Sequence, residues 1–131
     1  MTPKSERHAD LLLAPTPETP AGARDFLAAT CREWDVPRLV EPGELAVSEL
    51  VTNAVRHAGT PILVGLRLTD GALTISVHDE GDGEPHIVPP DERLLGGRGL
   101  VMVAKLAEAW GVDAAPDGKS VWCRLRASAE D

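Results

Sequence analysis

Two eight-residue stretches of alternating character, residues 62–69 and 72–79, flank the dipeptide Asp70-Gly71. An Asp-Gly link between two period-two segments is a strong hairpin signal, because the favoured two-residue turn needs positive φ at both positions. Ile62, Val64, Leu66 and Leu68 share one face of the first strand, and Leu73, Ile75 and Val77 share one face of the second. A sheet built on this hairpin has an apolar side that another layer must cover.

The covering layer is legible upstream. Thr19-Pro20 opens a helix with Thr as N-cap and Pro at the first helical position. Ala23, Phe26, Leu27, Cys31 and Trp34 follow at helical spacing, so this helix spans about 19–34. A second helix spans about 42–57, with Val47, Leu50, Val51, Ala54 and Ala58 as its apolar stripe and Gly59-Thr60-Pro61 as its stop. The spacing predicts a third helix over 99–110, with Leu100, Val103, Ala104 and Ala107 on one side and Gly111 capping its end. Residues 8–14 read as a short strand, Asp117-Gly118 as a turn and 120–126 as a final strand. Residues 80–97 hold many Gly and Pro and no periodicity, which marks a long loop, and long loops in compact domains are functional or disordered.

The expected order is β, α, α, hairpin, loop, α, β. Strands and helices do not alternate as βαβ units do, so the fold class is α+β: a two-layer α/β sandwich with a mixed, mostly antiparallel sheet and helices packed on one face. One domain is expected over 8–126, with a disordered segment at 1–7 and a frayed tail at 127–131.

Aromatic residues are 3% of the chain, so the core must be built from Leu, Val, Ile and Ala. A formal net charge of -8 and scattered cations exclude nucleic-acid binding driven by phosphate neutralisation. Cys31 and Cys123 form no metal-ligand spacing and read as reduced core thiols. No signal peptide opens the sequence and no apolar run reaches the ~20 residues a membrane span requires, so no membrane partner is expected and the cytoplasm is the default location.

Three features stand apart from the core pattern. Glu49, Asn53 and His57 recur every four residues and line one face of the second helix, with Arg56 beside them. Such a stripe is either a solvated face or, with a carboxylate and a carboxamide one turn apart, a place for hydrated Mg²⁺. Asn in mid-helix has poor propensity and wants a reason. Asp79 has the parity of Leu73, Ile75 and Val77, so it points to the core side, where a carboxylate needs donors. Either it receives an exocyclic amine such as that of adenine, or it turns outward and caps the next turn. It opens Asp79-Glu80-Gly81-Asp82-Gly83, in which two glycines permit close approach of a flat ligand or make an ordinary turn. Gly96-Gly97-Arg98-Gly99 opens the third helix, where backbone N–H groups favour phosphate, or where glycines form a flexible joint. Neither this stretch nor Gly118-Lys119-Ser120 has the spacing of a Walker A loop.

The order of these features resembles the GHKL superfamily of ATP-binding proteins, the group of gyrase, histidine kinases and mismatch-repair MutL. Within it the chain resembles the small anti-sigma-factor serine kinases and their actinobacterial relatives. The resemblance rests on Ser48-Glu49-Leu50-Val51-Thr52-Asn53-Ala54-Val55-Arg56-His57-Ala58, Gly97-Arg98-Gly99-Leu100, Trp110-Gly111-Val112 and Gly118-Lys119-Ser120-Val121-Trp122, and covers roughly residues 8–126. It implies a Bergerat-type ATP-binding fold and a cofactor pair of ATP and Mg²⁺. By the same resemblance Asn53 would hold Mg²⁺ and Glu49 would be the catalytic general base. Asp79 would accept from the adenine amine, with Gly81 in the same loop and Gly83 admitting the base. Gly97, Arg98 and Gly99 would meet the phosphates, Ser120 would lie near adenine, and His57 would sit beside the site.

The resemblance also implies partners: a sigma factor, a STAS-domain antagonist phosphorylated on serine, and a second copy of the chain in a homodimer. The resemblance implies that the sigma factor is bound through the first helices; the helix of Phe26 and Trp34 could serve, although its aromatics are more readily read as core. Where some active kinases of this group carry a basic residue, two positions before the first Gly of the Gly-x-Gly, this chain has Leu95, with Arg93 and Arg98 as neighbours. That departure leaves a second reading open, an ATP-sensing protein-binding module without catalysis.

Overall fold

A computed structural model describes residues 6–81 and 97–126. The elements are β1 (Glu6–Leu13), α1 (Thr19–Glu33), α2 (Val40–Ala58), β2 (Ile62–Thr69), β3 (Ala72–Asp79), α3 (Gly97–Leu106), β4 (Ala109–Ala115) and β5 (Gly118–Arg126), with a single 3-10 turn, Pro37–Leu39, leading into α2. The five strands form one sheet in the order β1-β2-β3-β5-β4, and every neighbouring pair is antiparallel. Helices α1 and α2 pack on each other, and α2 rests on β2, β3 and β5 and touches α3. The expected α+β sandwich is therefore present, with its sheet at the antiparallel limit.

The hairpin forms where its sequence places it. Asp70 and Gly71 take φ of 53° and 80°, the left-handed pair that matches strand twist across a two-residue turn. Ile62, Val64, Leu66, Leu73, Ile75 and Val77 are all buried under the helices. Leu27, Leu39, Val47, Leu50, Val51, Val103 and Leu125 complete an aliphatic core, with Trp34 at its edge and Phe26 packed against it. Trp34, the C-cap of α1, is thus a core residue, and Phe26 is partly buried against the core. Close approach of α1 and α2 depends on Gly43, where a Cβ would sit 2.8 Å from Leu27 Cδ2. Both cysteines are free and buried, and burial pushes their thiols up, Cys31 to about 11 and Cys123 to about 12. No helix among the described residues is long and apolar enough to cross a membrane.

Three local expectations are corrected. Thr19 does not cap α1: Glu18 is the N-cap, without a side-chain bond, and Thr19 is the first helical residue. Its buried hydroxyl donates back to the Ala14 carbonyl and accepts from the Thr16 N–H at 2.9 Å, so it closes the β1–α1 loop instead of the helix end. The third helix does not reach residue 110. It ends at Leu106, and Ala109–Ala115 is a strand, β4, on the sheet edge. Gly111 therefore caps nothing; it lies in β4, where a Cβ would come within 3.0 Å of the Trp122 ring. Edge residues that are partly exposed on both faces carry no period-two signal, and for that reason this strand was hidden. Finally, β5 begins at Gly118, so the β4–β5 turn falls at residues 116 and 117.

The α3–β4 connection is held by charge. The Glu108 N–H donates to the Arg124 carbonyl at 2.9 Å, and its carboxylate receives Arg124 Nε at 2.8 Å and Arg126 Nε at 2.9 Å. The hydrogen bond from Arg126, helped by that from Arg124, lowers the Glu108 carboxyl below its ordinary value.

Candidate functional site

Antiparallel pairing decides which polar residues meet. Directly opposed residues put their side chains on the same face, and successive residues alternate faces. Asp79 opposes Lys119, while its neighbour His78 opposes Ser120. Asp79 shares the face of Val77 and Ile75, so it points under the helical layer and is 1% exposed.

A buried carboxylate must be paired and hydrogen-bonded to persist as a charge. Here Lys119 Nζ donates to Asp79 Oδ2 at 3.1 Å and to Oδ1 at 3.3 Å, and the Gly81 N–H donates to Oδ1 at 3.0 Å. The Lys119 side chain is 19% exposed, so the pair has one member sealed and one reaching toward water. Asp79 thus points inward, as its parity predicts, and caps the turn that follows it without turning outward. The Glu80 N–H donates to Thr60 Oγ1 at 3.0 Å, which ties the end of β3 to the exit of α2.

Gly118 makes this corner of the sheet possible. It has φ of 153°, and any Cβ there would overlap the Asp79 carbonyl oxygen and crowd Glu80 Cα. Neither Gly118 nor Lys119 was singled out as a site residue from sequence. The available signal was the Gly-Lys pair opening a strand, but its meaning depends on a register with β3, 40 residues away.

Helix α2 packs on β3 and β5, the two strands that meet at this corner. Val47, Leu50, Val51 and Ala54 are buried against the core, and Glu49 and Asn53, one turn apart, are half-buried. Arg24 Nη1 donates to Ser48 Oγ at 2.9 Å, bracing α2 against α1 just before Glu49. His57 belongs to the last turn of α2, and Gly97 and Gly99 to the first turn of α3; the side chains of His57 and Arg98 lie outside the described set. Gly83, Arg93, Leu95 and Gly96 also lie outside the described residues. The topology brings α2, the end of β3, the start of β5 and α3 together. It does not bring Ser120 to Asp79.

Ser120 faces the other way. On the side away from the described helices its Oγ lies 2.9 Å from His78 Nδ1, and His78 Nε2 lies 3.8 Å from Asp117 Oδ2. This trio lines a groove of about 490 Å³ together with Asp10, Ser76 and Glu80. An adjoining groove of about 510 Å³ runs past His8, Arg67, Thr74, Trp122 and Arg124. Gly65 creates the dip between them, since a Cβ there would meet Ser76 Oγ at 2.8 Å.

The donors on α2 suit Mg²⁺ held mainly by phosphate oxygens and water, a common arrangement for this ion. They make no all-protein cage: among the described residues no group of three His, Cys, Asp or Glu side chains could hold a metal.

Comparison with known proteins agrees with the fold. A family model described as histidine kinase-like ATPase domain matches residues 13–125. No curated protein matches the chain. Among solved structures, the RsbU and RsbW domains of Rv1364c from Mycobacterium tuberculosis align with a TM-score of 0.63 at 23% identity, over 92% of this chain and 32% of that one. The blue-light activated histidine kinase EL346 of Erythrobacter litoralis aligns with a TM-score of 0.55 at 28% identity, over 69% of this chain and 31% of that one. A separate structure of the histidine kinase domain from the same protein gives 0.54 at 23% identity, over 82% and 60%. This chain therefore spans about a third of the first two and three fifths of the last. The match of the family model over nearly the whole chain shows that this protein belongs to the histidine kinase-like ATPase domain family, in which an ATP-binding role is implied.

Proposed function

We propose that this chain is an anti-sigma factor that binds Mg-ATP and acts as a protein serine kinase on a STAS-type antagonist. One observation carries the reading: Glu49 and Asn53 sit half-buried and one turn apart on α2, the helix that packs on β3, whose last residue is the sealed Asp79. A carboxylate and a carboxamide so placed have the chemistry of a base and a metal ligand flanking a phosphate tail.

In the transfer step the antagonist's serine hydroxyl attacks the γ-phosphorus. A new O–P bond forms as the bond to the bridging oxygen breaks, ADP leaves, and the hydroxyl proton passes to the Glu49 carboxylate. Mg²⁺ would neutralise charge on the phosphates, with the Asn53 side-chain oxygen among its ligands. Asp79 would take the adenine amine, and the backbone of the first α3 turn, at Gly97 and Gly99, would offer donors to phosphate. The family assignment and the RsbW-containing neighbour support this reading.

The test is γ-phosphate transfer from labelled ATP to a STAS-domain antagonist. Glu49→Ala should slow transfer by about 100-fold or more with ATP affinity kept, and Asn53→Ala should lose the Mg²⁺-dependent part of that affinity. Unchanged transfer by Glu49→Ala contradicts the base assignment. Equal affinity of the wild type for GTP and ATP contradicts the role given to Asp79. Leu95, at the position where some active kinases of this group carry a basic residue, favours a second reading as an ATP sensor that binds partners without turnover. Tight nucleotide binding with no transfer to any antagonist would select it.

A further inference from the structure

Resting on the ATP reading above, we infer that Lys119 is the second reader of the base, donating to the purine ring nitrogen that adjoins the amine taken by Asp79. The inference comes from counting what the pair has left to give. A carboxylate offers about four lone-pair sites. On Asp79, Oδ1 receives the Gly81 N–H and Lys119, and Oδ2 receives Lys119. One acceptor site remains, on Oδ2. Lys119 carries three N–H donors, and two point at the two Asp79 oxygens. One donor remains. Within the described residues neither group has a further partner.

An acceptor and a donor 3.1 Å apart, side by side at the end of β3, are the complement of an exocyclic amine beside a ring nitrogen. Adenine presents that pattern on two edges, N6 with N7 and N6 with N1, and N1 is the ring nitrogen bonded to the same carbon as the amine. Charge points the same way. Asp79 is sealed, so removing its counter-ion to admit a neutral base would leave a buried carboxylate with too few donors. With Lys119 kept in place, a neutral edge meets a neutral pair. The position is fixed by backbone, since Lys119 opposes Asp79 in the β3–β5 register and follows Gly118, which holds the two strands together at this point.

The experiment removes the acceptor from the ligand and the donor from the protein in turn. Calorimetry compares Mg-ATP with Mg-1-deaza-ATP, in which ring N1 is replaced by CH, on wild type, Lys119→Met and Lys119→Thr. Wild type should bind the analogue about tenfold or more weakly than ATP, the effect of one hydrogen bond to a charged donor. Lys119→Met should bind the two nucleotides alike, and Lys119→Thr, which keeps a hydroxyl donor, should recover part of the preference. A purely structural lysine would lower both affinities equally and leave their ratio intact. Wild type binding ATP and its analogue equally would overturn the inference, as would a Lys119→Met protein with tighter ATP binding, which would make the ammonium a plug. If the Met variant fails to fold, the wild-type comparison decides alone. Absence of any ATP binding to wild type would sink the ATP reading itself, a result distinct from equal binding of the two nucleotides.

Discussion

Asp79 and His78 are adjacent in the chain and each faces a polar partner on β5, yet they live in different solvents. Asp79 lies under the helices, is sealed, and holds Lys119 and the Gly81 N–H. His78 lies on the open side, with Ser120 and an exposed Asp117, in a surface groove. The chemistry of the two clusters is comparable; their dehydration is not. Coulombic and hydrogen-bond terms grow as water is excluded, and so does the cost of losing a partner. The covered pair is thus the one whose bonds are costly to break, and the open trio exchanges its bonds with solvent at little cost.

The largest break in this contrast should come from Gly118→Ala. Its Cβ would overlap the Asp79 carbonyl, so the β3–β5 corner must open. We expect a loss of about 3 kcal/mol in urea unfolding, together with loss of nucleotide binding. Next is Asp79→Asn, which leaves the Lys119 ammonium half-paired near the core and should cost about 2 kcal/mol. The partner experiment on the same strand, His78→Gln, should change the unfolding midpoint by no more than about 0.5 kcal/mol. Equal losses from these two variants would show that the faces do not differ as described. Gly65→Ala, whose Cβ would meet only the movable ends of Ser76 and Asp10 on the open face, should cost about 1 kcal/mol or less and leave nucleotide affinity alone.

The smallest effect is confined to alkaline solution. Burial raises the thiols of Cys31 and Cys123 from 9.0 to about 11 and about 12. Above pH 9 the unfolded chain releases protons that the folded chain keeps, so ν for the unfolded state is the smaller and stability falls as pH rises. Their contribution is whole below pH 9 and declines from there, through about pH 11 for Cys31 and about pH 12 for Cys123. A urea midpoint that is flat between pH 8 and about pH 10 in wild type, or that falls equally in a Cys31→Ala/Cys123→Ala protein, would contradict this. Both thiols should also resist alkylation in the native state at neutral pH.

Much of the architecture was legible because its signals are local. The hairpin over Ile62–Thr69 and Ala72–Asp79 follows from alternation and one Asp-Gly pair, and α2 from an apolar stripe and a Gly59 stop with φ of 68°. The inward aim of Asp79 follows from parity within one strand. The errors share a cause. Thr19 matched a cap by residue type, but the β1–α1 loop competes for its hydroxyl. Trp110 and Gly111 matched a helix end, but they pair with Cys123 and Trp122 in an edge strand. Ser120, which the resemblance sets near adenine, alternates with Lys119 and so lies on the face opposite Asp79.

Local pattern therefore determined the α+β class, the aliphatic core, the two long helices and the stripe bearing Glu49 and Asn53, since each depends on periodicity within a few turns of chain. Tertiary structure alone decided that Lys119, not Ser120, meets Asp79, that Gly118 is the residue that lets them meet, and that a polar groove covers the other side of the same strands. The physical reason is that strand register is set between segments 40 residues apart, by packing of a whole face against the helices, and no short window of sequence contains that information.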